Sequence, residues 1–128
     1  MSVILVVEDE PLIRMNAAVL LEDEGYEVIE AATAQAALAI LEKRNGEVEA
    51  VFTDVDMPGD MNGLELAGIV HRRWPAIALL ITSGVVRMPA ALPGGGMFLE
   101  KPYPTGAPLR LLQQLIRGAR VGSLVQHH

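Results

Sequence analysis

Cysteine is absent, so the chain cannot build a disulfide framework, and no basic segment leads into an apolar core as in a secretory signal. A reducing cytoplasm is the compartment to expect. Long apolar runs are missing too: stretches such as Val3 to Val7 and Ala76 to Ile81 fall far short of the roughly 20 residues that a membrane-spanning helix requires. Positive charge is also scarce. The net charge is -6, and residues 1–65 set only Arg14, Lys43 and Arg44 against fifteen of the sixteen acids. The basic footprint that nucleic-acid phosphates demand is not there, so neither direct nucleic-acid binding nor membrane insertion is expected. Residues 66–128 reverse the balance, with seven bases and the single acid Glu100. Solvated helix faces and a basic docking surface near the C-terminus explain that asymmetry equally well.

What the chain does have is apolar residues, 51 % of its 128, enough for one core and too few for two. One domain is expected over residues 1–120, followed by a frayed tail over 121–128 whose His127 and His128 look like the remnant of a purification tag. Apolar runs alternate with helix-period segments throughout, the order of β-α-β units wound into a parallel sheet. Val3 to Val7, Ala50 to Thr53 and Ile77 to Ile81 are nearly continuous in apolar character, as strands covered on both faces are. Tyr26 to Glu30 and Met97 to Leu99 are more mixed and belong nearer an edge.

Helices are predicted over about Glu10 to Glu24, closed by Gly25; from a Thr33 cap to Asn45-Gly46; from Asn62-Gly63 to just before Pro75; and over about Thr105 to Ala119. Between Gly84 and Gly96, Pro89, Pro93 and three successive glycines leave room for two turns of helix at most. Counting that short or irregular element as the fourth helix makes the last one the fifth.

In open parallel sheets, ligands bind beyond the carboxyl ends of the strands. Here those ends read Glu8-Asp9-Glu10, Asp54-Val55-Asp56, Thr82-Ser83-Gly84 and Glu100-Lys101-Pro102. Taken singly, each has an ordinary explanation: acids in a solvated turn, a threonine capping a strand, a lysine on the surface. Taken together they place carboxylates that would repel one another at one edge, a conflict that a hard, oxygen-seeking divalent ion such as Mg²⁺ resolves. Lys101 adds a compact positive charge and Thr82 a hydroxyl. A carboxylate nucleophile beside a cation and a lysine is the apparatus of in-line phosphoryl transfer.

The segments VVEDEPLIR, TDVDMPGDMNGLELA, LLITSG and FLEKPY closely resemble the receiver domain of bacterial two-component response regulators, of the chemotaxis-regulator-like kind, across essentially the whole chain. The resemblance implies a flavodoxin-like doubly wound α/β fold, with a five-stranded parallel sheet in the order 2-1-3-4-5 and helices on both faces. It implies that Asp54, three residues before Met57-Pro58-Gly59, is the phosphoacceptor. By the same resemblance Asp9, Asp54 and the backbone carbonyl of Asp56 would ligate Mg²⁺, with Glu8 acting in that pocket through a metal-bound water. Lys101 would pair with the phosphoryl group and precede a cis peptide to Pro102.

Thr82 would swing to the phosphoryl group and Phe98 would follow it, changing the face made by the fourth helix, fifth strand and fifth helix. The implied phosphodonor is a histidine kinase or a histidine phosphotransfer protein. An unidentified protein, or a second copy of the chain, would bind the switched face. The chain would be a signalling switch that assists its own phosphorylation and dephosphorylation, not an enzyme with a separate substrate.

Three departures from the family pattern stand out: Glu8 where aspartate is also common, the short Pro- and Gly-rich segment after Thr82, and Phe98 where tyrosine is common. In the family it resembles, the residues two beyond the phosphoacceptor and two beyond the switch hydroxyl often set how long the phosphoryl group lasts; here they are Asp56 and Gly84, and since a glycine offers no shield from water, a short-lived phosphoryl group is expected. The sequence from Ala50 to Asp56 also resembles the Asp-x-Asp motif of haloacid-dehalogenase-type phosphotransferases, with Asp54 and Asp56 as the pair. That motif normally opens its domain, and here it lies in the third strand. A flavin or nucleotide site would want glycines or hydroxyls after the first strand, where Glu8, Asp9 and Glu10 stand. A receiver that only binds proteins would leave the joint presence of the acids, Thr82 and Lys101 unexplained.

Overall fold

The structure, a computed structural model, describes residues 2–84, 92 and 96–126, with side chains as far as residue 118. Strands β1 (Val3–Val7), β2 (Glu27–Ala31), β3 (Val48–Asp54), β4 (Ala78–Ser83) and β5 (Met97–Glu100) alternate with helices α1 (Pro11–Asp23), α2 (Ala34–Arg44) and α3 (Gly63–Arg73), and α4 (Ala107–Gln126) follows β5. All neighbouring strands run parallel, in the order β2-β1-β3-β4-β5, as the resemblance implies.

The continuous apolar strands follow from a sheet that is covered twice. Successive side chains of a strand point to opposite faces. Val3, Leu5 and Val7 of β1, with Val51, Leu79 and Ile81, pack against α2 and α3 through Ala34, Ala37, Leu41, Leu66, Ala67 and Val70. Ile4 and Val6, with Ala50, Phe52 and Leu80, pack on the other face with Leu21 of α1 and Leu112 and Ile116 of α4. Every β1 side chain is therefore buried, and each full burial of a valine, leucine or isoleucine contributes about 1.5–3 kcal/mol.

Local signals set the helix ends. Pro11 sits in the first turn of α1, and Gly25 follows its end at φ 95°, in the left-handed region. The Thr33 hydroxyl accepts the Ala36 N–H at 3.0 Å, and Asn62 and Glu65 form a reciprocal capping box at the start of α3. Helix α4, numbered fifth in the expectation above, extends past the predicted end at Ala119 into the predicted tail, to Gln126. No proline interrupts that stretch, and Gly122 alone costs only about 1 kcal/mol of helix propensity. The short helix predicted between Gly84 and Gly96 falls on residues outside those described, apart from Leu92, and so do His127 and His128. Among the described residues no helix is long and apolar enough to cross a membrane.

Candidate functional site

The sheet register assembles the site. Asp54, the last residue of β3, lies opposite Thr82 in β4; Thr82 and Ser83 lie opposite Leu99 and Glu100 in β5, one residue before Lys101. On the other side of β3, Val7 is opposite Thr53, so the turn after β1 delivers Glu8 and Asp9 to the same edge. One carboxylate oxygen each from Glu8, Asp9 and Asp54 lie within 4.8 Å of one another. The Lys101 ammonium reaches in from the far strand, 3.2 Å from Glu8 Oε1 and 3.4 Å from Asp54 Oδ2. The Lys101-Pro102 peptide is cis.

Burial and charge act against each other in this cluster. Asp54 is only 4 % exposed and Glu8 5 %, whereas Asp9 is open to solvent. Burial pushes the Asp54 carboxyl above its ordinary value, and the Lys101 charge opposes that rise without cancelling it. Glu8 is likewise raised, first by burial and further by the Asp54 charge. Burial alone would lower Lys101, but Asp54 and Glu8 together outweigh it and hold the ammonium above its usual value. Three carboxylates share one ammonium, a net negative pocket of hard oxygen donors. That donor set suits Mg²⁺, which takes oxygen ligands and asks for only one or two protein carboxylates beside its waters.

Backbone contacts keep the acids in place. The Glu8 N–H donates to Ala31 O at 3.0 Å, and Glu8 Oε2 accepts the Glu10 N–H at 3.0 Å. Arg14, from the first turns of α1, donates through Nη1 to the Glu8 carbonyl at 2.9 Å and through Nε to Glu30 at 3.1 Å, tying α1, the acidic turn and β2 together. On the β3 side, the Asp56 N–H donates to Asp54 Oδ1 at 3.3 Å. The start of α3 presses on this turn so closely that a Cβ on Gly63 would overlap the Asp54 carbonyl oxygen.

Glu8, Asp9, Asp54 and Lys101 thus converge as their strand-end positions predict, and Asp56 follows in the same turn. Thr82 borders the same small cavity as Glu8 and Asp54, but its hydroxyl donates to the Leu99 carbonyl at 2.6 Å. Phe98 is half-buried on β5 and packs against the α2/α3 side of the core, away from the carboxylates.

Four contributors escape a sequence reading. Arg14 had a faint signal as one of only three bases in the first half. Ser83 is buried, and its hydroxyl donates to Asp56 Oδ2 at 2.6 Å, a contact between residues 27 apart that only the sheet register brings about. Gly63 reads as a helix start but serves a close approach. Tyr103 also lines the cavity; burial pushes its phenol upward, and the nearby Lys101 charge opposes this.

Large apolar side chains are exposed beside the site. Leu12, Ile13, Met15 and Val19 of α1 are large, hydrophobic and exposed. A groove of about 440 Å³ runs between α1 and the start of α4, lined by Ile13, Ala17, Leu20, Tyr103 and Pro108 among others. Ile13, Ala17 and Tyr103 border both this groove and the acid cavity.

Residues 4–107 match the family described as the response regulator receiver domain. The sensor kinase CckA of Brucella abortus is 37 % identical over 108 residues, which cover 80 % of this chain and 11 % of that protein. The nitrogen assimilation regulatory protein NtrX of Azorhizobium caulinodans is 37 % identical over 105 residues, covering 78 % of this chain and 23 % of that protein. The chain therefore spans less than a quarter of either relative. Among solved structures, the response regulator TrrA of Thermotoga maritima, in complex with Mg²⁺ and BeF, superposes with a TM-score of 0.79 at 27 % identity, covering 90 % of this chain and 99 % of that one.

Proposed function

The chain belongs to the response regulator receiver domain family, and from that premise we propose that Asp54 accepts a phosphoryl group from a histidine kinase or a histidine phosphotransfer protein. The observation that carries this reading is the Lys101 ammonium set between the buried carboxylates of Glu8 and Asp54 with Asp9 alongside. An Asp54 oxygen attacks phosphorus in line with the bond to the donor nitrogen. That bond breaks, and its electron pair leaves with the imidazole. Lys101 meets the charge on the phosphoryl oxygens. Mg²⁺, held by Asp9, Asp54 and the Asp56 carbonyl, with Glu8 reaching it through water, would supply further neutralisation of that charge. The Mg²⁺ and BeF complex of TrrA supports this ligand chemistry by similarity.

The switch begins at Thr82. A phosphoryl group adds about -1.5 to -2 charges and three strong acceptors, which compete with the Leu99 carbonyl for the Thr82 hydroxyl. Once Thr82 turns, Phe98 fills the space it leaves, and the surface around β5 and α4 changes for a downstream protein or a second copy of the chain. The phosphodonor approaches over α1: any protein reaching Asp54 must cover the mouth of the acid pocket, and the exposed Leu12, Ile13, Met15 and Val19 offer an apolar seat beside it. The chain assists its own phosphorylation and dephosphorylation through these same groups. A haloacid-dehalogenase-type activity would need the Asp56 carboxylate free for proton transfer, and it is engaged by Ser83.

Incubation with acetyl phosphate and Mg²⁺, read by intact mass, tests the proposal. A single phosphoryl adduct that is lost in Asp54→Asn is expected, and no adduct on the wild type would overturn it.

A further inference from the structure

Asp56 lies two residues beyond Asp54 and brings a fourth carboxylate to within reach of a pocket that already holds three. Its backbone and its side chain would act on a phosphoryl group with opposite sign. The N–H donates to Asp54 Oδ1 at 3.3 Å, whereas the carboxylate would repel an incoming group that carries about -1.5 to -2 charges. Which of the two faces Asp54 therefore matters. Ser83 Oγ donates to Asp56 Oδ2 at 2.6 Å, in the range of a short, charge-assisted O–H to carboxylate bond.

The hydroxyl is fixed by the sheet rather than by the turn it restrains. Ser83 is 1 % exposed at the end of β4; its carbonyl accepts the Lys101 N–H at 2.9 Å, and the preceding Thr82 carbonyl accepts the Val55 N–H at 2.8 Å. Asp56 itself is exposed, so nothing about burial compels its carboxylate to turn toward β4. Its charge already adds to the rise of the Asp54 carboxyl, behind burial as the larger cause.

We propose that Ser83 is a positioning residue that holds the Asp56 carboxylate turned away from the phosphoryl site, leaving the Asp56 amide to face Asp54. The inference rests on Asp54 being the phosphoacceptor and adds what governs access to it. It separates the effects of Asp56 on metal and on phosphoryl group. A carboxylate released from Ser83 draws a cation in and keeps a phosphodonor out, so the two responses move in opposite directions. Simple loosening of the pocket would weaken both.

The test uses Ser83→Ala, Asp56→Asn and the double variant, with initial rates of acetyl phosphate labelling by intact mass and Mg²⁺ affinity of the unphosphorylated proteins by calorimetry. Ser83→Ala is expected to label about tenfold more slowly, the scale of one hydrogen bond to a charged group, and to bind Mg²⁺ about two- to threefold more tightly. Adding Asp56→Asn to Ser83→Ala removes the released charge and returns the labelling rate to that of Asp56→Asn alone. Should Ser83→Ala fail to fold, Ser83→Cys keeps the bulk with a weaker donor and takes its place. An unchanged labelling rate in the serine variant, a slow rate that persists in the double variant, or a joint fall of rate and metal affinity each overturn the proposal. A wild type that accepts no phosphoryl group overturns the phosphoacceptor reading itself and this inference with it; normal wild-type labelling beside an unaffected serine variant overturns the inference alone.

Discussion

Replacing Gly63 by alanine tests how the fold holds Asp54. The added Cβ would overlap the Asp54 carbonyl oxygen and lie 2.7 Å from its carbonyl carbon and 2.9 Å from the Val55 Cα, where real Cβ contacts essentially never fall below 3.0 Å. All three neighbours are backbone, so no side-chain rotation relieves the clash, and the start of α3 must back away from β3 by about 1 Å. Overpacking of this kind costs about 1–3 kcal/mol, and rigid neighbours put Gly63→Ala at the upper end, about 3 kcal/mol. For a domain of this size that corresponds to a fall in Tm of roughly 10 °C.

Two other glycines serve as controls. Gly46 has open space around it and no unusual backbone, so Gly46→Ala should stay within about 0.5 kcal/mol. Gly25 also has open space but sits at φ 95°, so Gly25→Ala should cost about 1 kcal/mol from backbone strain alone. Thermal denaturation followed by circular dichroism gives the order. Because the clash falls on Asp54 itself, Gly63→Ala should also label more slowly with acetyl phosphate, while Gly46→Ala labels normally. A Gly63→Ala protein no less stable than Gly25→Ala would rule out the clash with the Asp54 backbone.

Other consequences follow from the charges. Glu8 and Asp54 have folded values raised above their ordinary 4.5 and 3.8, so the stability they contribute is complete below those values and is lost as pH rises through the raised ones. Metal-free protein should therefore lose stability between acid and neutral pH, Mg²⁺ should restore it at pH 7 but not at pH 4, and Asp54→Asn should flatten the metal-free profile; melting curves with and without Mg²⁺ check all three. Arg14→Ala removes the donor to the Glu8 carbonyl and the pair with Glu30, and should destabilise by about 1–2 kcal/mol in urea titrations while weakening Mg²⁺ binding by calorimetry. In the proposed switch Phe98 follows the Thr82 hydroxyl, which here donates to the Leu99 carbonyl, so Thr82→Ala should still accept the phosphoryl group by intact mass but no longer shift the Phe98 ring resonances on phosphorylation.

The site was legible in the sequence to the extent that strand ends define it. Glu8, Asp9, Asp54 and Lys101 each follow an apolar run, and a parallel sheet brings such positions to one edge whatever the helices do. The sheet order came through the family resemblance, which is also the source of the roles proposed for these residues, because hydrophobic alternation says that strands are buried and not which ones are neighbours. What stayed hidden depends on pairings between distant residues. Ser83 looks like any small polar residue after a threonine, and its contact with Asp56 follows from register. Gly63 reads as the beginning of a helix, while the need for it arises from a β3 carbonyl nine residues earlier. The apolar face of α1 was hidden for the opposite reason: Leu12, Met15 and Val19 have the spacing of a core stripe, and only packing shows that Ala18 and Leu21 are the buried residues of that helix.

The proposed function requires that one carboxylate, Asp54, carry the phosphoryl group. An aspartyl phosphate is an acyl phosphate, which borohydride reduces to the alcohol, so trapping the acetyl phosphate-treated protein with borohydride and mapping its peptides marks the acceptor by conversion of aspartate to homoserine. Homoserine is expected at position 54 and at no other acid, dependent on Mg²⁺ and absent after Lys101→Ala. Homoserine at Asp9 or Asp56, or unmodified peptides throughout, would contradict it.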